Sequence, residues 1–106
     1  MQQFDKENFA VRVLASPEPV VVDFWSPKCD PCLALMPDME ALARRYEGKA
    51  RFGKVNILEN RRLAISQKVL GVPNISLYVG GGKVAELTGD DIASDAVEEA
   101  LKRLLY

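Results

Sequence analysis

The chain predicts an α/β fold with a mixed central β-sheet and helices on both faces. Two observations carry this expectation. Strand-like and helix-like segments alternate through the first part of the chain, and the last two strand-like runs follow each other across Gly80-Gly81-Gly82. Alternation requires parallel crossovers, whereas a glycine-rich connection predicts an antiparallel hairpin. The length of 106 residues suits a single domain over residues 1–106.

The first predicted elements are a helix and a buried strand. Asp5 can cap a helix over about Lys6–Ala15, which Ser16-Pro17-Glu18-Pro19 ends. Val20–Trp25 is a short, nearly continuous apolar run, typical of a central parallel strand that is covered on both faces. The inward-facing residues of the helix are its regularly spaced apolar ones, Phe9, Val13 and Leu14.

A second helix and strand follow. The helix begins at about Cys29 or Pro31 and ends at Tyr46, and Pro37 inside it predicts a kink. Arg51–Leu58 is the next strand. The remaining predicted elements are a short helix capped by Asn60 over about Arg61–Val69 and closed by Gly71, strands at Asn74–Val79 and Lys83–Thr88, and a last helix at Ser94–Leu105.

The composition is that of an ordinary soluble globular protein. Hydrophobic residues make up 48% and charged residues 27%, with a net charge of −1. No basic block favours nucleic acid, and no apolar run approaches the roughly 20 residues of a membrane span. Because Met1–Asn8 lacks the features of a signal peptide, we expect a cytoplasmic protein. The absence of histidine excludes catalysis by Ser-His-Asp or Cys-His pairs.

The only two cysteines form a Cys29-Asp30-Pro31-Cys32 motif between the apolar strand and the second helix. The first N–H groups of a helix and its dipole stabilise a thiolate, the reactive form of cysteine. Cys29, nearer the helix start, is expected to be the nucleophile, and Cys32, one turn further on, the resolving thiol. Pro31 suits the first turn, where no N–H bond is lost.

A metal site is the alternative use of the cysteine pair. Zinc and iron–sulfur sites need four ligands, and the chain offers no second cysteine pair and no histidine. Only a symmetric dimer that shared two pairs would complete the set. Redox chemistry is therefore favoured, with no metal and no bound cofactor.

Two other residues near the cysteines suggest chemistry. Asp23 is an acid within an otherwise apolar strand. A desolvated carboxylate has a raised pKa and can exchange a proton near neutral pH, although a strand-end carboxylate facing water is the alternative. Trp25, the only tryptophan, is either a core aromatic residue or a neighbour of the disulfide.

At this point the chain resembles the thioredoxin family. The motifs that carry the resemblance are Val22–Trp25, Cys29–Cys32, Pro37, Gly71–Pro73 and Gly89, which occur in the family's order and at its spacings. The resemblance implies a thioredoxin fold whose first edge strand, at about Met1–Phe4, is short or absent. The chain departs from the family at Lys28, where Trp is usual, at Asp30, where Gly is usual, and at Asn74, where Thr is usual.

The resemblance also implies roles for individual residues. Asp23 would lie behind Cys32 and assist its deprotonation, with Lys54 as the partner of that acid. Pro73 would follow a cis peptide bond, and Val72 would offer its backbone to an extended substrate. The expected substrate-binding residues are Trp25, Val72, Pro73, Asn74 and Gly89.

These observations predict a protein-disulfide reductase, a monomer that acts on disulfide-containing client proteins. The resemblance implies that a thioredoxin reductase reduces it in turn. One alternative is a dithiol oxidant or isomerase of the same fold, which normally needs an oxidising compartment. The other is a redox-inert binding module, which would have no need of the cysteine pair.

Overall fold

A five-stranded mixed sheet forms the centre of the molecule. The computed structural model describes all residues, Met1–Tyr106, and orders the strands β1-β3-β2-β4-β5. The strands are β1 (Gln2–Gln3), β2 (Val20–Trp25), β3 (Arg51–Asn56), β4 (Asn74–Val79) and β5 (Gly82–Thr88). Strands β1, β3 and β2 are parallel, whereas β4 is antiparallel to both β2 and β5. The mixed sheet and the short first edge strand are both confirmed.

Helices cover both faces of this sheet, as predicted. They are α1 (Asp30–Arg45), α2 (Arg61–Ser66), α3 (Ser94–Leu105) and a π-helix (Ala10–Leu14). On one face Val21 of β2 packs with buried residues of α1 and α3. On the other face Val22 and Phe24 pack with buried residues around the π-helix and α2. None of these helices is long and apolar enough to span a bilayer.

The first helix differs from the prediction. A π-helix of five residues replaces the α-helix expected over Lys6–Ala15, and the Ala15 N–H donates to the Ala10 carbonyl oxygen at 2.9 Å. Asp5 still accepts hydrogen bonds at the start of this segment, from the backbone N–H groups of Glu7 and Asn8. Phe9 and Val13 are buried as expected. Their spacing fits either kind of helix, so the apolar pattern could not distinguish the two.

The short helix α2 also ends earlier than predicted, at Ser66. Lys68 adopts a φ of 62°, in the left-handed region, and this residue rather than Gly71 stops the helix. Asn60 does not cap the helix with its side chain. Its Oδ1 accepts the Lys6 N–H and its Nδ2 donates to the Asn56 carbonyl oxygen, both at 3.0 Å.

Turns set the remaining boundaries. Strand β3 stops two residues before Leu58, because Asn56 Oδ1 accepts the Leu58 N–H at 3.0 Å and closes a turn. The predicted hairpin between β4 and β5 is confirmed. Gly80 and Gly81 have φ values of 59° and 87°, which other residues rarely adopt, and β5 begins at Gly82.

Candidate active site

The cysteine pair lies at the junction between strand β2 and helix α1. Cys29 and Cys32 form a disulfide, with their Cα atoms 5.2 Å apart. Cys29 is the N-cap of α1, and its Sγ accepts a hydrogen bond from the Cys32 N–H at 3.3 Å. This N–H belongs to the first helical turn and has no hydrogen-bond partner within the helix, so it is free to donate to the sulfur. Such an arrangement stabilises negative charge on Cys29 Sγ.

The loop before the cysteines is held by Ser26, which the sequence analysis missed. Ser26 is buried, and its Oγ accepts the Lys28 N–H at 3.1 Å. Its carbonyl oxygen accepts the Cys29 N–H at 3.0 Å. A serine directly before Pro27 is a signal for such a turn, since the hydroxyl bonds the backbone two residues on. These bonds fix the approach of Cys29 to the helix.

The two sulfurs differ in exposure. Cys29 is half-buried, whereas Cys32 is only 1% exposed and belongs to the buried face of α1. Asp30 is the first residue of the helix, and Pro31 lies in its first turn as predicted. Only Cys29 is therefore open to an incoming molecule.

Asp23 lies inside the sheet, on the face that α1 covers. It is 1% exposed, and neither of its carboxylate oxygens has a hydrogen-bond partner within the protein. Burial raises the pKa of this carboxyl from 3.8 to about 7, while the Lys54 ammonium opposes the rise and the Glu40 carboxylate adds to it. A group with this pKa can accept or release a proton at neutral pH.

Lys54 is the neighbour of Asp23 across the sheet. The parallel register of β2 and β3 pairs Asp23 with Lys54, so the two side chains lie on the same face. Lys54 makes no direct ion pair with this acid, and its Nζ instead lies 5.4 Å from the centroid of the Trp25 ring. Lys54 therefore lowers the pKa of Asp23 through the electrostatic field of its ammonium group, without a direct contact.

Glu40, on α1, is a second residue that the sequence analysis missed. Its carboxylate adds to the rise in the Asp23 pKa. It accepts a hydrogen bond at 2.7 Å from the Met1 amino group, and this bond is the main cause that lowers the pKa of Glu40 itself. Seventeen positions separate the two acids in sequence, so only the packing of α1 on the sheet could reveal the coupling.

Four of the five predicted substrate-binding residues line one groove. They are Val72, Pro73, Asn74 and Gly89, around a space of about 340 Å³. The Val72–Pro73 peptide bond is cis, as the resemblance implies. The fifth residue, Trp25, does not line this groove but a separate polar cavity of about 450 Å³ that it shares with Lys54. We call the first space the proline groove.

Asn74 anchors the proline groove to the sheet. It is buried, donates to Glu86 Oε2 at 2.8 Å and accepts from Ser76 Oγ at 2.6 Å. Lys83 also donates to Glu86 Oε2, at 3.0 Å, and to the Gln67 carbonyl oxygen, at 2.6 Å. Glu86 accepts hydrogen bonds from both Asn74 and Lys83, yet no motif or pattern in the sequence distinguishes it from the other acidic residues.

Comparison with known proteins gives a consistent answer. A family model described as Thioredoxin matches residues 1–103. The thioredoxin of Peptoclostridium acidaminophilum is 48% identical over 101 residues, which are 95% of this chain and 92% of that protein. The thioredoxin of Acetoanaerobium sticklandii is 43% identical over 105 residues, 99% of this chain and 100% of that protein.

The fold, the cysteine pair and these relatives lead to one conclusion. The disulfide lies at a strand-to-helix junction of a mixed five-stranded sheet, and the relatives match over nearly the whole chain. The protein is a thiol–disulfide oxidoreductase that reduces protein disulfides, as the sequence predicts. The chain belongs to the thioredoxin family.

Proposed function

We propose that Cys29 is the attacking thiolate and Cys32 the resolving thiol of this reductase. Cys29 attacks one sulfur of a client disulfide, that S–S bond breaks, and the first client sulfur leaves as a thiolate that takes up a proton. Cys32 then loses its proton and attacks Cys29 Sγ, so that the mixed disulfide breaks and the second client sulfur leaves. Two electrons pass from the dithiol to the client, and the Cys29–Cys32 disulfide results.

The observation that carries this assignment is the contrast between the two sulfurs. Cys29 is accessible and sits at the helix N-terminus, where its Sγ accepts the Cys32 N–H. Cys32 is buried, so no client sulfur can reach it before the mixed disulfide has formed. Both differences favour attack by the first cysteine.

Asp23 is the proposed proton acceptor for Cys32. Cys32 belongs to the buried face of α1 and Asp23 to the sheet face beneath that helix, since Val21, two residues from Asp23, shares one core cluster with Leu35 of α1. The carboxyl is unpaired and has a pKa of about 7, so it can take the Cys32 proton when resolution begins. Lys54 tunes this acid, and Pro31 sets the first turn that places Cys32.

The proline groove is the proposed seat for the chain that flanks the client disulfide. Phe24 pairs with Asn74 across the sheet, so the groove begins beside the strand end that leads to Cys29. Val72 precedes the N–H-lacking Pro73 and offers its backbone groups to an extended segment. Asn74 and Gly89 complete the walls, and Trp25, which ends β2 directly before the cysteine loop, is the fifth residue proposed to contact the client.

We further propose the cellular setting that this activity requires. Thioredoxins reduce disulfides in client proteins and are reduced in turn by thioredoxin reductase, and the same cycle is proposed for this chain. It acts in the cytoplasm as a monomer of a single domain, residues 1–106, carries electrons between these partners and needs no bound cofactor. The absence of any cysteine besides Cys29 and Cys32 supports a carrier with one redox centre.

Trapping tests the assignment of the two thiols. Cys32→Ser is expected to capture disulfide-bonded insulin as a mixed disulfide that survives non-reducing electrophoresis and dissolves with dithiothreitol. Cys29→Ser is expected to capture none, and Cys29→Ser/Cys32→Ser controls for non-covalent binding. Capture by the Cys29→Ser protein at a similar yield would reverse the roles of the two cysteines.

A further inference from the structure

Trp25 and Lys54 are in contact beside the buried acid Asp23. The Lys54 Nζ lies over the Trp25 ring, 5.4 Å from its centroid. Both side chains are half-buried, and both line the polar cavity of about 450 Å³. A cation over the face of an aromatic ring is attracted by the negative charge of that face. The ammonium is therefore held at the polar cavity rather than among the apolar side chains of the sheet.

The sheet also places Lys54 within reach of Asp23. The two residues are paired in the parallel register of β2 and β3, and neighbouring strands lie about 4.8 Å apart. Asp23 and Trp25 are two residues apart in β2, so both side chains lie on the same face of the sheet as that of Lys54. The flexible lysine side chain therefore has two possible partners, a carboxyl directly beside it and an aromatic ring diagonally ahead of it.

The Trp25 ring, and no carboxylate, is the close partner of the Lys54 ammonium. Lys54 forms none of the ion pairs of the protein. Its charge also lowers the pKa of Glu40 on α1, but Glu40 Oε1 is bound by the Met1 amino group at 2.7 Å. The two acids within the field of Lys54 therefore leave its ammonium to the aromatic ring.

This arrangement leaves the Asp23 carboxyl unpaired in the core. Neither of its oxygens has a hydrogen-bond partner, and on its other side Asp23 pairs with the apolar Ile75 of β4. The charged groups that act on it are Lys54 of β3 and Glu40 of α1, which have opposite signs. A direct ion pair with Lys54 would favour the ionised form of Asp23 and make it a weaker base, whereas an unpaired buried carboxylate accepts a proton readily.

We propose that Trp25 is a positioning residue of the reductase, whose ring holds the Lys54 ammonium at the polar cavity. Asp23 is thereby kept free to take the proton of Cys32. The inference rests on the proposed role of Asp23 and adds to it the residue that preserves that role. During resolution the Cys32 thiol gives its proton to an Asp23 oxygen, and its sulfur electron pair forms the bond to Cys29 Sγ. The client sulfur leaves as a thiolate with the electrons of the broken bond, and Asp23 later returns its proton to the solvent.

The Asp23 pKa in the disulfide form tests the proposal, because no client takes part in this measurement. Carbon NMR of the Asp23 carboxyl follows the titration. Trp25→Leu removes the ring, so Lys54 is expected to pair with Asp23 and to lower its pKa by at least about 1. Trp25→Phe keeps an aromatic face and is expected to retain most of the value of the unaltered protein. An Asp23 pKa in Trp25→Leu that stays at about 7 or rises would overturn the proposal.

Further variants separate the effect of the ring on Lys54 from its effect on burial. Water that entered beside Asp23 would also lower its pKa, but it would do so with or without the lysine. Lys54→Met and Lys54→Met/Trp25→Leu are therefore expected to have nearly equal Asp23 pKa values. An equal fall on loss of the ring in both backgrounds would overturn the proposal. Tyr106→Leu is the matched control, since it removes the ring that lies 5.8 Å from Lys49 Nζ and is expected to leave the Asp23 pKa unchanged.

Separate readouts distinguish the possible failures, and far-ultraviolet circular dichroism checks that each variant folds. In the unaltered protein the Trp25 ring current is expected to shift the proton NMR signals of the Lys54 ε-methylene group upfield, and unshifted signals would overturn the contact without any variant. The rate of mixed-disulfide resolution, measured in a single turnover, is expected to rise with pH as Asp23 ionises, and in Trp25→Leu to rise at a pH lower by the same shift. If the Asp23 pKa moves and this profile does not, the positioning by Trp25 stands and the proposed proton transfer to Asp23 fails.

Discussion

Asn74 Nδ2 donates a hydrogen bond of 2.8 Å to Glu86 Oε2, which joins strands β4 and β5 directly behind Pro73. The same asparagine accepts from the fully buried Ser76 hydroxyl. Glu86 is held in turn by Lys83, and these two bonds lower the pKa of its carboxyl, with Asn74 the larger cause. Asn74, the residue after Pro73, therefore ties its wall of the proline groove to the Glu86 carboxylate.

Replacing Asn74 should weaken both the fold and the groove. Asn74→Ala leaves the buried Ser76 hydroxyl without an acceptor, which is expected to cost about 1–3 kcal/mol of unfolding free energy. KM for a disulfide-bonded protein should rise, while the reaction with 5,5′-dithiobis(2-nitrobenzoate) should not change. Urea denaturation and steady-state kinetics measure the two effects. Glu86→Gln keeps an acceptor for Asn74 and should give the smaller loss; an equal loss would contradict the assigned contact.

Asp23 should make the protein less stable as pH rises. Its folded pKa of about 7 lies above the unfolded value of 3.8, so the folded protein binds more protons in this window. Unfolding free energy therefore falls as pH rises from about 4 to about 7, by at most about 4 kcal/mol. Asp23→Asn should be more stable than the unaltered protein above this window and nearly equal to it below. Denaturation across pH measures the difference; a difference that does not vary with pH would contradict the buried carboxyl.

The two charged neighbours of Asp23 should move its pKa in opposite directions. Lys54→Met removes the ammonium that lowers the pKa, so the Asp23 pKa should rise above about 7. Glu40→Gln removes a carboxylate that raises it, so the pKa should fall. Carbon NMR of the Asp23 carboxyl reports both shifts in the disulfide form. Glu59→Gln, an acid that does not act on Asp23, is the control, and shifts of one sign in both variants would contradict the field of Lys54.

The Asp30 carboxylate should disfavour formation of the Cys29 thiolate. Its carboxylate follows Cys29 directly at the start of α1, and a negative charge beside a thiolate disfavours it. Asp30→Asn is therefore expected to lower the pKa of the Cys29 thiol in the reduced protein, as followed by the ultraviolet absorbance of the thiolate. Asp38→Asn, an exposed acid further along the same helix, should leave the titration unchanged. An unchanged titration in Asp30→Asn would show that solvent screens this charge completely.

The sequence predicts those elements whose boundaries follow from a single local pattern, such as an apolar run or a glycine turn. The apolar run of β2 matches at both ends, and the glycines of the hairpin mark a turn that other residues rarely form. The boundary of α2 could not be predicted, because Lys68 takes a left-handed conformation that nothing in its chemistry announces. The type of the first helix was open for a similar reason, since Phe9 and Val13 suit more than one helical period.

The residues of the candidate active site also fall into those that the sequence predicts and those that only the tertiary packing reveals. The cysteine motif and the acid in β2 are visible locally, and the family resemblance identifies Lys54 and Pro73. Glu40 and Glu86 depend on which elements pack together, so a linear pattern cannot reveal them. The resemblance also places Trp25 with the substrate-binding residues, and this stays a prediction; in the structure Trp25 lies beside Lys54, in a cavity separate from the proline groove.

Cys29 occupies the position that serine, threonine or aspartate usually fills at the start of a helix, so the reactive sulfur is also a structural part of α1. Coupling of this kind is reciprocal: the helix favours the thiolate as much as the thiolate favours an ordered first turn. The oxidised protein keeps only a neutral sulfur there. The start of α1 therefore reports the oxidation state of the molecule, and amide hydrogen exchange at Cys32 should be slower in the thiolate form than in the disulfide form.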